Sequence, residues 1–411
     1  MIDYQHILHR LRETRVLQNY SYMSALQVGN ALISVLIYPY LIRVMGADAM
    51  GLYAFILGIV MYFQAMVEFG FDMPAAKAVS LAHDQPHKLN RIISQVWVCK
   101  WLLLVTVSLL AVPIVWWIPI LRRHVVLFMV IYAQIIYSIL FPQWYYQGMK
   151  NMRFSTIVQF CIRLLQIPLI IWLVHDANDV IIYAAIVSGT LLLGGLVGGW
   201  NIYREGRRWV WVSWQELWQL FHEVCPFFIT NISATIKERT LTTLIGVFLG
   251  MREVAIYDLA MKVVQIPRLL INSVNGALFP EVVANATPHR VRAILHYERW
   301  IGILAIGGVI LLGYPTIWIL GGKTMLAAYP VAVILACTIY SFLVVGAYLQ
   351  FVFIAQGRYS IVAQNQLIAM TTCVLLGGLG MWIYPAAWIA ALALVLSGGV
   401  EIIYCRTKYK N

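Results

Sequence analysis

Gly46-Ala-Asp-Ala-Met-Gly-Leu-Tyr53 and Gly250-Met-Arg-Glu-Val-Ala-Ile-Tyr257 decide the fold. Each segment runs from Gly to Tyr, each sits between two long apolar stretches, and the two are offset by 204 residues in a chain of 411. A glycine that ends one helix, followed within a few residues by the start of the next and by an interfacial tyrosine, is a tight turn between membrane spans. The same turn at the same point of each half argues for a duplicated unit. Working outward gives twelve apolar spans, from about 20–42 and 51–73 to about 360–383 and 385–404, each long enough to cross roughly 30 Å of hydrocarbon. Six spans per unit preserve the direction of crossing, so the halves are expected to be parallel repeats related about an axis along the membrane normal. The expected fold is an all-α membrane protein. Residues 1–200 make an N-terminal six-helix lobe, 201–225 a cytoplasmic linker and 226–411 a C-terminal six-helix lobe.

Composition supports this class: 62% of residues are hydrophobic and only 11% are charged. With the N-terminus placed in the cytoplasm, 18 of the 29 Lys and Arg fall in inner segments, 5 in outer loops and 6 inside spans, which puts both termini inside. The net charge of +12 is therefore a topology signal dispersed over many loops, and nucleic-acid binding is not expected. The start of the chain has no apolar core or small-residue cleavage site, so no removable signal peptide is expected. The six cysteines are far apart without metal or redox spacing, and His83 and His87 sit in a loop interrupted by Pro86. No metal, cofactor, phosphate loop or catalytic triad is expected. Outer loops of a few residues leave no room for an active site, so the chain does not read as an enzyme.

Between the halves, Trp209, Trp211, Trp214, Trp218 and Phe221 alternate with Arg207, Arg208, Gln215, Glu216 and Glu223. This pattern predicts an amphipathic helix lying on membrane lipids at the headgroup level.

Six cations remain inside the spans: Lys100, Arg163, Lys237, Arg239, Lys262 and Arg268. Even a low estimate of about 2.5–3.5 kcal/mol for each charge at the bilayer centre demands water, counter-charge or substrate to offset it. Thr156, Gln159, Arg163 and Gln166 share one helical stripe, as do Asp258, Lys262, Gln265 and Asn272; Gln27, Asn30, Ser34 and Tyr38 form another, and Gln64, Glu68 and Asp72 a fourth. If these stripes converge they make a shared polar cavity. Cations at mid-span (Arg163, Lys237, Arg239, Arg268) outnumber the single mid-span anion Glu238, which favours an anionic substrate, and phosphate suits arginine's bidentate geometry. The alternative is a buried ion-pair network that fixes lobe packing. Because consecutive helical residues point about 100° apart, Lys237, Glu238 and Arg239 cannot all face one cavity.

Pro39-Tyr-Leu-Ile-Arg-Val-Met-Gly-Ala-Asp-Ala-Met-Gly-Leu-Tyr-Ala-Phe55, followed by Glu68-Phe-Gly-Phe-Asp-Met-Pro-Ala-Ala-Lys77, resembles the N-terminal signature of Wzx-type polysaccharide flippases, as do Pro142–Gly148 and Pro226–Tyr257. The resemblance implies the multidrug/oligosaccharidyl-lipid/polysaccharide exporter fold, with two six-helix lobes around a central cavity. It also implies movement of an undecaprenyl-diphosphate-linked oligosaccharide across the bacterial inner membrane by alternating access. By position, the substrate-binding role falls on Arg163, Lys237, Arg239 and Arg268, with Lys262 and Asn30 beside them. Proton or sodium coupling would fall on Glu68, Glu238 and Asp258, the acidic residues best placed within spans. A polysaccharide polymerase and glycosyltransferases are the expected neighbours. The competing reading, a multidrug-type cation-coupled exporter of small molecules, shares the span plan but calls for an acidic cavity.

Overall fold

The computed structural model describes the backbone of residues 15–284, 288–354 and 356–410, and the side chains from 29 onward except 30–32, 34–35, 272–274, 276–292, 355 and 410–411. The helices of the first half are α1 (Arg15–Glu68), α2 (Asp72–Leu81), α3 (Pro86–Trp117), α4 (Pro119–Arg123), α5 (Val125–Tyr132), α6 (Gln134–Leu140), α7 (Gln143–Gly148), α8 (Met152–Leu173) and α9 (Val180–Arg204). Those of the second are α10 (Trp214–Phe248), α11 (Met251–Ala284), α12 (Pro288–Gly321), α13 (Ala328–Tyr348), α14 (Tyr359–Ile383) and α15 (Ala387–Lys410). No strand occurs among the described residues. Nine helical segments among them are long and apolar enough to cross a membrane. Helices α10 and α11 do not meet that test, because their middles carry Lys237, Glu238 and Arg239 and then Asp258, Lys262 and Arg268. The chain is an all-α, multi-pass membrane protein of two lobes.

The two Gly-to-Tyr turns, 46–53 and 250–257, behave alike and touch each other. Gly46 breaks α1 at φ 78° and ψ 169°, so spans one and two are separate rods joined without a loop. Gly250, between α10 and α11, has φ 96°. A side chain at either position would be strained. Across the lobe boundary, a Cβ on Gly51 would collide with the Met251 carbonyl and one on Gly246 with the Phe55 ring. Tyr53 and Tyr257 are both buried in the large apolar core that the lobes share. At the opposite end of span two, Phe69 stacks on Phe228 with ring centroids 4.3 Å apart, and a Cβ on Gly70 would fall 2.7 Å from the Phe227 backbone. Glycines thus mark the close approaches of span two to the second half: Gly51 of α1 to the backbone of α11, Gly246 of α10 to a ring on α1, and Gly70, just after α1, to the backbone of α10.

Two expectations need correction. The crossing expected at about 125–146 is not one unbroken helix: α5, α6 and α7 follow one another across 125–148 with breaks at Ala133 and at Phe141 and Pro142, the second because Pro142 supplies no N–H for a continuing ladder. The linker is not a helix of its own either. Residues 207–213 have no regular structure, and the helix that begins at Trp214 continues through Pro226 into span seven. The strap is held extended by side chains of α3: Asn90 Oδ1 accepts from Arg208 N–H at 3.2 Å, and Ser94 Oγ from Val210 N–H at 3.0 Å. Ser213 caps α10 by accepting from the Glu216 N–H at 3.4 Å. Glu216 is gripped by the Arg91 guanidinium and by Gln95 Nε2 at 3.2 Å. Leu217 and Val224 are then buried among Phe71, Val79, Leu89 and Trp144 of the first half. The first three turns of α10 therefore pack with the N-terminal lobe.

Candidate functional site

Two polar cavities lie midway along the helices. The first, of about 290 Å³, sits between the lobes; Tyr38 and Tyr53 of α1, Arg163 of α8, Arg239 of α10, and Asp258 and Lys262 of α11 line it, together with the amides of Gln64, Gln134 and Gln166 and the Tyr183 ring. The second, of about 320 Å³, lies within the C-terminal lobe and is lined by Lys237 and Glu238 of α10, Arg268 and Asn275 of α11, Gln366 of α14 and Glu401 of α15.

In the cavity between the lobes, Arg163 Nη1 donates to Gln166 Oε1 at 3.2 Å, and Gln166 Nε2 donates to Thr190 Oγ1 at 2.8 Å. The stripe on α8 thereby aims its guanidinium with a buried amide behind it. Lys262 pairs with Asp258 one turn earlier, and its ammonium lies 4.6 Å from the centroid of the Tyr38 ring. Among the described residues no carboxylate stands within ion-pair distance of Arg163 or Arg239. Three cations face one anion here, so the cavity carries an excess of positive charge.

The cavity of the C-terminal lobe is balanced instead. Lys237 Nζ reaches Glu401 Oε1 at 3.0 Å, and Asn365 Nδ2 donates to Glu401 Oε2 at 3.1 Å. Arg268 donates to Thr338 Oγ1 and lies 5.1 Å from the Phe342 ring centroid. Its Nε is buried without a partner among the described residues. Glu238 is exposed to this cavity. Two cations thus stand beside two anions.

The structure does not gather Arg163, Lys237, Arg239 and Arg268 in one place. The 100° step along α10 turns Lys237 and Arg239 to opposite sides, into different cavities. The three acidic candidates also separate. Asp258 lines the cavity between the lobes and Glu238 that of the C-terminal lobe, while Glu68 accepts from Gln64 Nε2 at 2.7 Å near the end of α1. The side chain of Asn30, on α1, lies outside the described residues. Lys100 is buried and pairs with Asp72 at 3.2 Å. Sequence reasoning missed Glu401, Gln134 and Tyr183. A signal existed for two of them: Glu401 is the last carboxylate of the chain, at the end of an apolar span, and Gln134 interrupts an otherwise apolar one.

An all-helical, two-lobed membrane bundle with polar cavities inside it has the architecture of a transporter. Residues 16–285 match the family described as polysaccharide biosynthesis protein, and the chain belongs to that family, as the Wzx-type signature indicated. A protein of Escherichia coli (strain K12) named as a candidate O-antigen transporter is 24% identical over 304 residues, covering 72% of this chain and 73% of that one. Among solved structures, the lipid II flippase MurJ in an inward closed conformation superimposes with a TM-score of 0.75 at 14% identity, covering 96% of this chain and 88% of that one. An inward-facing multidrug resistance MATE family transporter of the MOP superfamily gives 0.73 at 11% identity, covering 94% of each chain. The structural likenesses concern the fold: both the flippase and the multidrug plan have this architecture.

Proposed function

We propose that the protein flips an undecaprenyl-diphosphate-linked oligosaccharide from the cytoplasmic to the periplasmic leaflet of a bacterial inner membrane by alternating access. The observation that carries this reading is the charge of the cavity between the lobes, where Arg163, Arg239 and Lys262 face Asp258 alone. A diphosphate diester supplies the missing negative charge, and arginine can grip its oxygens in pairs. The tyrosine faces and the amides of Gln64, Gln134 and Gln166 offer apolar planes and paired donors and acceptors suited to sugar rings and hydroxyls. The family membership and the name of the Escherichia coli relative point the same way. A cation exporter of the multidrug type fits poorly, since its substrate would meet uncompensated guanidinium groups.

In this reading the cavity between the lobes, and not the balanced one, holds the diphosphate. The close approach of Gly51 to Met251 then serves as the outer gate, and the lobes separate at Pro226 with residues 201–225 riding on the N-terminal lobe. Purified protein in liposomes loaded with the lipid-linked oligosaccharide on one leaflet tests the proposal. Transfer to the other leaflet, lost in the double variant Arg163→Gln/Arg239→Gln, is the expected result. Transfer of a lipophilic cation in its place would overturn the reading.

A further inference from the structure

The strap that joins the lobes encloses a small site of its own. Where it leaves α9, a pocket of about 150 Å³ is lined by Ser94 and Trp97 of α3, Tyr203 of α9, and Arg207, Arg208 and Trp209. At roughly 30 Å³ per water this is the space of about five waters, room for one phosphate group and part of its hydration.

The polar groups of the pocket are donors in search of an acceptor. No carboxylate lines it. Arg208 stands with its guanidinium 4.4 Å from the Tyr203 ring centroid and has no ion pair among the described residues. Among the described residues the Arg207 side chain donates its Nε–H to Tyr145 Oη at 3.2 Å, and its Nη groups have no partner there. The Trp97 Nε1–H is buried and has no partner among the described residues. Ser94, fully buried, accepts from Val210 N–H, and its own hydroxyl proton has no acceptor among the described residues. The nearest carboxylates lie outside the pocket: Glu205 is held by Asn201 and by the same Tyr145 hydroxyl that Arg207 Nε–H reaches, and Arg91 and Gln95 hold Glu216. A buried donor without an acceptor costs stability, and an anion in the pocket removes that cost.

We propose that this pocket binds the phosphate of an anionic lipid headgroup. The anion is a lipid's because the strap around the pocket is a belt of exposed indoles: Trp209 is 55% exposed, Trp211 93% and Trp214 66%. Indole rings settle at the headgroup level, which places the arginines beside lipid phosphates. The segment also lies on the side where Lys and Arg concentrate, and basic pockets between helices on that side attract acidic headgroups. A headgroup held here bridges α3, α9 and the strap, and so braces the junction from which α10 departs. The site is separate from both cavities and does not depend on what the transporter carries.

Native mass spectrometry of the full-length protein released from detergent tests this, with phosphatidylglycerol, phosphatidylcholine and inorganic phosphate as probes. The wild type should retain one phosphatidylglycerol about tenfold better than phosphatidylcholine, and Arg208→Gln should lower that retention by about tenfold, the loss of one charge-assisted contact. Arg208 is a safe position, since its fold-supporting hydrogen bond comes from its backbone N–H and its side chain is exposed. Arg207→Lys should keep part of the retention. Inorganic phosphate in tenfold excess over lipid should not displace the phosphatidylglycerol. Equal retention of the two lipids, an Arg208→Gln protein that binds as the wild type does, or displacement by free phosphate would each overturn the proposal.

Discussion

Replacing Glu401 by Gln would strand the Lys237 ammonium inside the C-terminal lobe. The Lys237 side chain is 15% exposed and that of Glu401 8%, so the pair is close to fully desolvated. Removing one partner of a buried ion pair costs about 3–5 kcal/mol. The residual exposure of Lys237, together with an Asn365 bond that Gln can still accept, sets the expectation at the lower end, about 3 kcal/mol, or roughly a hundredfold in the folded-to-unfolded ratio. Glu401→Gln and Lys237→Met should each lower membrane abundance and the unfolding midpoint of purified protein. The double variant Lys237→Met/Glu401→Gln should recover to within about 1 kcal/mol of the wild type, since replacing a whole pair by neutral groups of similar size is nearly neutral. Transport should recover with it. A double variant as unstable as either single one would refute the pairing argument. A double variant that is stable but does not transport would return Lys237 to the list of substrate contacts.

Arg163→Gln and Arg239→Gln, by contrast, should each lower flipping in liposomes by about tenfold or more, from the loss of a charge-assisted hydrogen bond, while folded protein stays within about twofold. Lys at either position should restore part of the activity, and loss of the protein itself would show the residue to be structural. Gly51→Ile should force the lobes apart beside Met251; disulfide formation between Ala47→Cys and Arg252→Cys should then fall relative to the Gly51 parent, and an unchanged yield would contradict the close approach. The Arg91 guanidinium, helped by Gln95 and the helix cap, holds the Glu216 carboxyl down at about 2. A carboxylate with a depressed folded value stabilises the fold above its ordinary range near 4.3 and loses that contribution as pH falls toward the folded value. Hydrogen exchange at Arg208 and Val210 N–H should therefore stay protected down to about pH 4 and weaken toward pH 2; equal protection across that window would show the strap to be held by other contacts.

The turns were the most legible part of the sequence, because a glycine with positive φ between two apolar runs has few other uses. That the chain is a bundle of apolar spans was legible for the same reason that a bilayer tolerates little else; among the described residues nine helical segments are long and apolar enough to cross one. The grouping of the charges was not. Whether Lys237 or Arg239 faces the lobe boundary depends on the rotation of α10, which no spacing along the chain fixes, and the Lys237 partner Glu401 lies 164 residues away. The linker misled for a different reason: alternating Trp and charged residues suit an amphipathic helix, but a strap whose N–H groups are taken by Asn90 and Ser94 satisfies its backbone without one.

Helix α10 carries the name of one half and the work of both. Leu217 and Val224, made after the sixth span is complete, fill the apolar floor built from Phe71, Val79, Leu89 and Trp144. During synthesis the first half therefore stays unfinished until residue 224 has left the ribosome, by which time the seventh span is already following it. Splitting the gene within the strap would sever the first lobe from its own packing, and two half-chains made that way would have to find each other to hide that floor. The two halves are thus tied together at birth and cannot be traded as independent modules.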